Sequence, residues 1–211
     1  YTVAAWFKQE GETTTSPLQD SWQSIITSRS CTSGCRGYMM YIKHRKFEAH
    51  ASKLEYWHAT TDPTDWVKVE TTERSAWKRT GTAAWEFNVI RFNGTDEIDF
   101  FLNGSNIGNT SSTVSMNNQN TDKPTRIGAG RTEGAVMYLF KGKIDDVAIW
   151  DEALTDAEIT ELYNNGESLY AKENYGDYTS KDNLTAYYTM DSNNGSGTTL
   201  SDDEGSNDGS F

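Results

Sequence analysis

The chain has 211 residues, with 31 Asp and Glu against 19 Lys and Arg. Its formal net charge of −12 repels a nucleic-acid backbone, because no basic stripe offsets the acids. Its 7 Trp, 11 Tyr and 8 Phe, set among sparse aliphatics and many Gly, Ser, Thr and Asn, point to an all-β sandwich, sized as one large domain or one domain plus a fragment.

Taken in chain order, Tyr1-Thr2-Val3-Ala4-Ala5-Trp6-Phe7 already reads as a buried strand with no signal peptide before it. The sequence is therefore expected to start inside a longer or processed polypeptide. Candidate strands are 2–8, 23–28, 37–43, 46–50, 53–58, 66–70, 85–92, 96–102, 125–128, 136–141 and 143–150. Cys31 and Cys35 lie between the second and third of these, in SRSCTSGCRG. A C-x3-C pair is half a zinc site; no second Cys pair exists, and His44, His50 and His58 add no ligand spacing. The pair is either a small disulfide staple on a loop tip, which implies an extracellular or otherwise oxidising setting, or two free thiols. N-x-S/T sequons begin at Asn93, Asn103, Asn109, Asn183 and Asn194, as chance allows in such a composition.

The densest basic run, Lys43-His44-Arg45-Lys46, lies in an alternating pattern and reads as a solvated sheet face. Asn-Gly pairs at 93–94 and 103–104 mark turns, the first as a hairpin turn. The stretch 105–123 is polar and is expected to be a long exposed loop. Thr155-Asp156-Ala157-Glu158 is a capping box, flanked by Leu154 and Ile159 as a hydrophobic staple, with Asn164, Asn165 and Gly166 as the stop. One helix of two to three turns, at about 156–164, follows. A polar connector at 170–183 leads to LTAYYTMD (184–191) and a Gly/Ser/Asp-rich tail. No run of 18 apolar residues is present, so no segment reads as a membrane-spanning helix.

EIDFFLN (97–103) resembles the catalytic strand of laminarinase-like retaining glucanases, in which three carboxylates alternate along one strand. Such a reaction needs a nucleophile and an acid/base about 5–5.5 Å apart. Glu97 and Asp99 share a face, but the next same-face residue is Phe101, or Leu102 across a bulge. The acid/base is missing, and no G-x-S-x-G, HExxH or phosphate loop replaces it. The expectation is a non-catalytic module.

Residues 140–169, FKGKIDDVAIWDEALTDAEITELYNNGESL, resemble the closing segment of laminin-G-like jelly rolls in the concanavalin A-like lectin/glucanase superfamily. TVAAWFK (2–8) and AAWEFNVIRFNGTDEIDFFLNG (83–104) are similar to that family's early strand and central hairpin. The resemblance covers most of 1–169 and implies a two-sheet antiparallel jelly-roll sandwich with one short helix. Residues 184–211 resemble the family's opening strand and loop, displaced to the end. That order implies an excerpt of a tandem array or a strand exchanged between copies, hence homotypic neighbours. The expected organisation is a jelly roll at 1–169, a connector at 170–183, and an opening-like strand and loop at 184–211. The resemblance also implies a structural Ca²⁺, with Asp145 as ligand and Asp191 or Asp208, in Asn207-Asp208-Gly209, as partners. The alternative is that Asp145 and Asp146 merely accept hydrogen bonds.

Trp6, Trp85 and Trp150 fall on core strands of the resemblance. Trp57 and His58, Asp65 and Trp66, and Trp22 in QDSWQS form a candidate glycan platform, since aromatic faces take the apolar faces of pyranoses. Their other reading is Trp side chains covering a sheet edge. Two functions follow: a glycan-binding or adhesive module at a cell surface, virion surface or elsewhere outside the cell, or a structural repeat or decoration subunit of a virion, fibre or adhesin that assembles by strand exchange.

Overall fold

The computed structural model describes residues 1–11, 21–31, 34–44, 52–61, 66–72, 83–111, 115, 123–130, 136–191 and 197–210. Two antiparallel sheets face each other. One runs in the order β11 (Leu184–Tyr188), β10 (Gly142–Trp150), β1 (Thr2–Gln9), β6 (Glu86–Phe92), β7 (Glu97–Leu102) and β8 (Ser105–Ser111). The other runs β5 (Trp66–Glu70), β4 (Ser52–Ala59), β3 (Arg36–His44), β2 (Ser21–Ser30) and β9 (Arg126–Ile127). The expected two-sheet sandwich is observed, and so is its single α-helix among the described residues, α1 (Asp156–Tyr163).

The two sheets differ in what covers them. Between them lies the main core, where Val3, Phe7, Ile26, Met40, Ile42, Tyr56, Ile90 and Phe100 interdigitate. The six-stranded sheet is buried on its other face too. There Trp6, Phe87, Phe101 and Trp150 pack beneath Leu154, Ile159 and Leu162 of the α1 region and Tyr178 of the connector. A strand covered on both faces needs no polar alternation, which is why TVAAWF reads as a continuous apolar run. Among the described residues no helix or second sheet lies over the outer face of the five-stranded sheet. Its strands alternate accordingly: in β4, Leu54, Tyr56 and His58 point inward, while Lys53, Glu55 and Trp57 point outward.

The capping box is complete. Glu158 N–H donates to Thr155 Oγ1 at 3.2 Å, and Thr155 N–H donates to Glu158 Oε2 at 2.9 Å. Leu154 and Ile159 share the helix-side core, as the staple requires. Cys31 and Cys35 are bonded to each other near the β2–β3 turn, with Cα atoms 4.1 Å apart.

Four expectations change. Residues 105–111 form β8 rather than loop, paired to β7 through a two-residue turn with Asn103 at φ 51° and Gly104 at φ 75°. Both angles are those of a type I′ hairpin, which Asn-Gly favours. The turn at Asn93 spans four residues instead, its side-chain carbonyl accepting the N–H groups of Thr95, Asp96 and Glu97. The candidate strand 136–141 is not a strand: Tyr138 has φ 55°, which breaks the extended chain. Trp85 is 39% exposed just ahead of β6, not a core residue. The candidate strand 46–50 lies outside the described residues.

The C-terminal strand closes its own molecule. β11 pairs with β10 of the same chain, Ala148 opposite Tyr187 and Val147 opposite Tyr188. Its free edge is then covered by the loop after it. Asp202 Oδ1 accepts the Tyr187 N–H at 2.9 Å, and Asp203 N–H donates back to the Tyr187 carbonyl at 2.7 Å. The short hairpin of β12 (Thr199–Leu200) and β13 (Gly209–Ser210) frames that loop.

Candidate binding face

The outer face of the five-stranded sheet gathers three of the expected aromatic residues. Trp57 on β4 stands in register between Met39 on β3 and Lys68 on β5. Residues directly opposite on antiparallel strands share a face, so Tyr41 joins them opposite Glu55, and Trp66 opposite Ala59. Trp22 opens β2 opposite Lys43. Together with Arg29 and Tyr138, these side chains line an open cavity of about 240 Å³.

Tyr138 forms one wall from outside the sheet. Its ring packs edge-on against Trp22 and Tyr41, at centroid distances of 5.9 and 5.8 Å. A positive φ in a bulky residue is costly, about 1 kcal/mol or more, and persists only where the surroundings over-determine it. Here the Tyr138 carbonyl accepts the Ser24 N–H at 2.8 Å, and Gly130 and Met137 exchange backbone hydrogen bonds beside it. Gly130 also leaves room for the ring, since a Cβ there would lie 2.9 Å from Tyr138 Cδ2.

Cations and carboxylates lock the floor. Lys68 lies over the Trp57 ring and Lys43 over Trp22, each at 5.4 Å, while Arg29 lies 5.6 Å from the Trp66 centroid. Glu55 is buried and accepts the Trp57 indole N–H at 2.9 Å, with Lys43 and Lys68 each 3.8 Å away. Hydrogen bonds from Lys53 and Lys68 hold the Glu70 carboxyl down at about 2. Trp57 therefore has a fixed orientation before any ligand arrives, which reduces the ordering cost of binding.

The other expected site residues fall elsewhere. His58 does not join the aromatic face. Strand alternation turns it into the core, where it stacks on Phe92 and Nε2 lies 2.9 Å from the Tyr1 hydroxyl. Asp65 lies outside the described residues. Arg29, Met39, Tyr41 and Tyr138 were not foreseen. The two-residue period of β3 turns Met39 and Tyr41 outward beside Trp57, but no local signal in the sequence brings Tyr138 to them.

Glu97 and Asp99 sit on the helix side of the six-stranded sheet, away from this cavity. Asp99 is buried and takes both the Nε and Nη2 of Arg91 on one oxygen, at 3.0 and 2.8 Å. Asn106 donates to its other oxygen at 3.2 Å. Phe101 occupies the third same-face position, within the helix-side core.

Of the expected calcium ligands, Asp191 lies close enough to Asp145 for its charge to act on it. Burial first, then the charges of Asp146 and Asp191, push the Asp145 carboxyl up to about 6. A bulge in β10, with Asp146 at φ 45°, separates the two adjacent aspartates. Asp146 is committed to the Ser168 and Tyr187 hydroxyls at 2.6 and 2.5 Å. Asp208 accepts the Asp202 N–H at 2.9 Å within the edge loop. Among the described residues no group of three or more His, Cys, Asp or Glu is arranged to hold a metal ion. Ca²⁺ takes six to eight oxygens, so a site at these aspartates would draw largely on backbone carbonyls.

Two antiparallel sheets packed face to face, with a short helix against one of them, define a jelly-roll sandwich. The profile of the laminin-G-type family in the concanavalin A-like lectin/glucanases superfamily matches residues 1–160, and the chain belongs to that family. Among solved structures it resembles a putative carbohydrate binding protein from Bacteroides ovatus, with a TM-score of 0.55 and 15% identity over 96% of this chain and 49% of that one. It also resembles the CBM40 of a Ruminococcus gnavus IT-sialidase, with a TM-score of 0.51 and 16% identity over 77% of this chain and 81% of that one. No curated protein matches significantly.

Proposed function

We propose that the chain is a non-catalytic glycan-binding module that takes a pyranose ring in the aromatic cavity of the five-stranded sheet. One observation carries this. Trp22, Trp57 and Trp66, from three strands, meet Tyr41 and Tyr138 around one open cavity on the outer face of the five-stranded sheet. Aromatic walls with a few fixed polar groups are what a sugar site needs. That two proteins sharing the fold carry carbohydrate-binding names supports the reading. The Arg91–Asp99 pair supports a non-catalytic one, because both Asp99 oxygens are already taken up, by the Arg91 guanidinium and the Asn106 amide. The Cys31–Cys35 bond supports an extracellular, cell-surface or virion-surface setting. The alternative of assembly by strand exchange finds no support in β11, which completes its own sheet.

The test is affinity electrophoresis of the protein and of Trp57→Ala and Trp66→Ala against a panel of cell-wall and marine polysaccharides. Each variant is expected to lose binding with little change in melting temperature. A large loss of stability with binding retained would reassign both to packing. A Ca²⁺ ion would have to rest on Asp145 and Asp191 with backbone carbonyls, and we propose it on the family resemblance alone. Millimolar Ca²⁺ should then raise the melting temperature and EDTA lower it; indifference to both would remove it.

A further inference from the structure

The aromatic face carries a charge opposite to that of the chain. The protein is at −12 overall, yet Arg29, Lys43, Lys53 and Lys68 project from this one face. Arg126 joins them by register, being opposite Thr27 on the edge strand β9. Against these cations the described part of the face sets Glu55 and Glu70, each bracketed by lysines. Among the described residues lining the cavity, Arg29 is the single ionic group and none is acidic.

The chemistry of the aromatic residues narrows the ligand further. An aromatic cage commonly serves a cationic ligand, since ring faces attract positive charge. Here each of the three tryptophans already has a cation of the protein near its ring. A quaternary ammonium or lysine ligand would meet like charge, which costs binding energy. A neutral sugar would accept hydrogen bonds from the cations but offer them no opposite charge. A ligand with an apolar ring face and an anionic substituent uses both features, and a guanidinium fork matches a carboxylate bidentately.

Resting on the glycan reading above, we infer that the cavity takes an acidic saccharide, its ring against the tryptophans and its carboxylate at the Arg29 side. The field of the surrounding lysines would concentrate such a polyanion at an otherwise repelling surface, and salt would weaken that attraction.

The experiment measures binding of the intact chain to polygalacturonate, sialyllactose, dextran sulfate and neutral dextran, in low and high salt. Carboxylated saccharides are expected to bind, more weakly in high salt, and dextran is not. Arg29→Gln should weaken them by about tenfold or more, and Arg29→Lys should restore part of the loss, because it keeps the charge but not the fork. Arg29 also packs on Trp66 and donates to Met39 Sδ at 3.0 Å, so its variants are first checked by melting temperature. Lys68→Gln, at an exposed position, provides a second arm: it should weaken binding and flatten the salt dependence even if Arg29 variants fail to fold. Binding of dextran as tightly as polygalacturonate, or binding untouched by salt and by Lys68→Gln, overturns the acidic ligand and leaves the glycan reading intact. Binding of dextran sulfate alone overturns the carboxylate. No binding in any arm overturns the glycan reading itself.

Discussion

His58 shows how one side chain can be misassigned by its neighbours in sequence and placed by its parity in a strand. Beside Trp57 it looked like a polar partner for a ligand; one position along β4 it is a core residue. Its proton assignment follows from its contacts. Nδ1 lies 2.8 Å from the Ala59 carbonyl, which can only accept, so Nδ1 carries the hydrogen. Nε2 then accepts from the Tyr1 hydroxyl, which accepts in turn from Tyr56 at 3.2 Å. Burial lowers the imidazole pKa to about 4. The folded protein thus binds fewer protons than the unfolded chain between about 4 and 6.5, so this contribution is full above 6.5 and is lost as pH falls towards 4. Asp145 works in the opposite sense, its raised pKa giving a contribution that is lost as pH rises through about 6. The two offset each other across one window. His58→Gln should leave the Asp145 slope exposed, so that stability in EDTA-containing buffer falls with pH from 4 to 6.5. Urea titrations at stepped pH would read it, and a slope like that of the unmodified protein would refute the assignment.

Among the elements, α1 was legible because its signals are local: cap, staple and stop all lie within one stretch of sequence. Its attachment was not. Glu158 uses one oxygen to close the capping box and the other to accept from Ser180 Oγ at 2.5 Å and Thr179 N–H at 3.2 Å. The connector is thereby tied to the helix, and Tyr178 accepts the Trp150 indole N–H at 2.9 Å beneath it. Thr155→Ala should cost about 1 kcal/mol, as cap losses do. Glu158→Ala should cost more, about 2–3 kcal/mol, since it also strands the Ser180 and Thr179 donors. Equal losses in denaturant titrations would mean that the connector is held by other contacts. Strand β8 was missed for a related reason. It is an edge strand exposed on both faces, so no apolar period marks it; only the Asn103-Gly104 turn does. The segment at 136–141 misled in the opposite direction, because VMYLF has the composition of a strand while Tyr138 adopts a conformation that composition does not encode. The tryptophans of the cavity could be picked from the sequence, but their meeting depends on long-range pairing of β2, β4 and β5, which no local signal specifies.

For the molecule as a whole, the loop over β11 has a consequence for how it lives in a crowded solution. An open sheet edge is a template on which another copy can add itself. Here the Asp202 carboxylate and the Asp203 amide take the place of a neighbouring strand at Tyr187, so the sheet ends without offering that position. Removing residues 197–211 would leave β11 bare. Two such edges, related by a twofold axis, present matching antiparallel partners, and the sheet could then continue from one molecule into the next. The truncated protein should elute as concentration-dependent dimers or larger species in size-exclusion chromatography, whereas the full chain should not form them through this edge. A truncated form that stays monomeric at every concentration would show that the edge needs no guard. On this view the acidic tail, which has the composition of a disordered leftover, acts as a stopper: it sets where polymerisation would begin and holds it there.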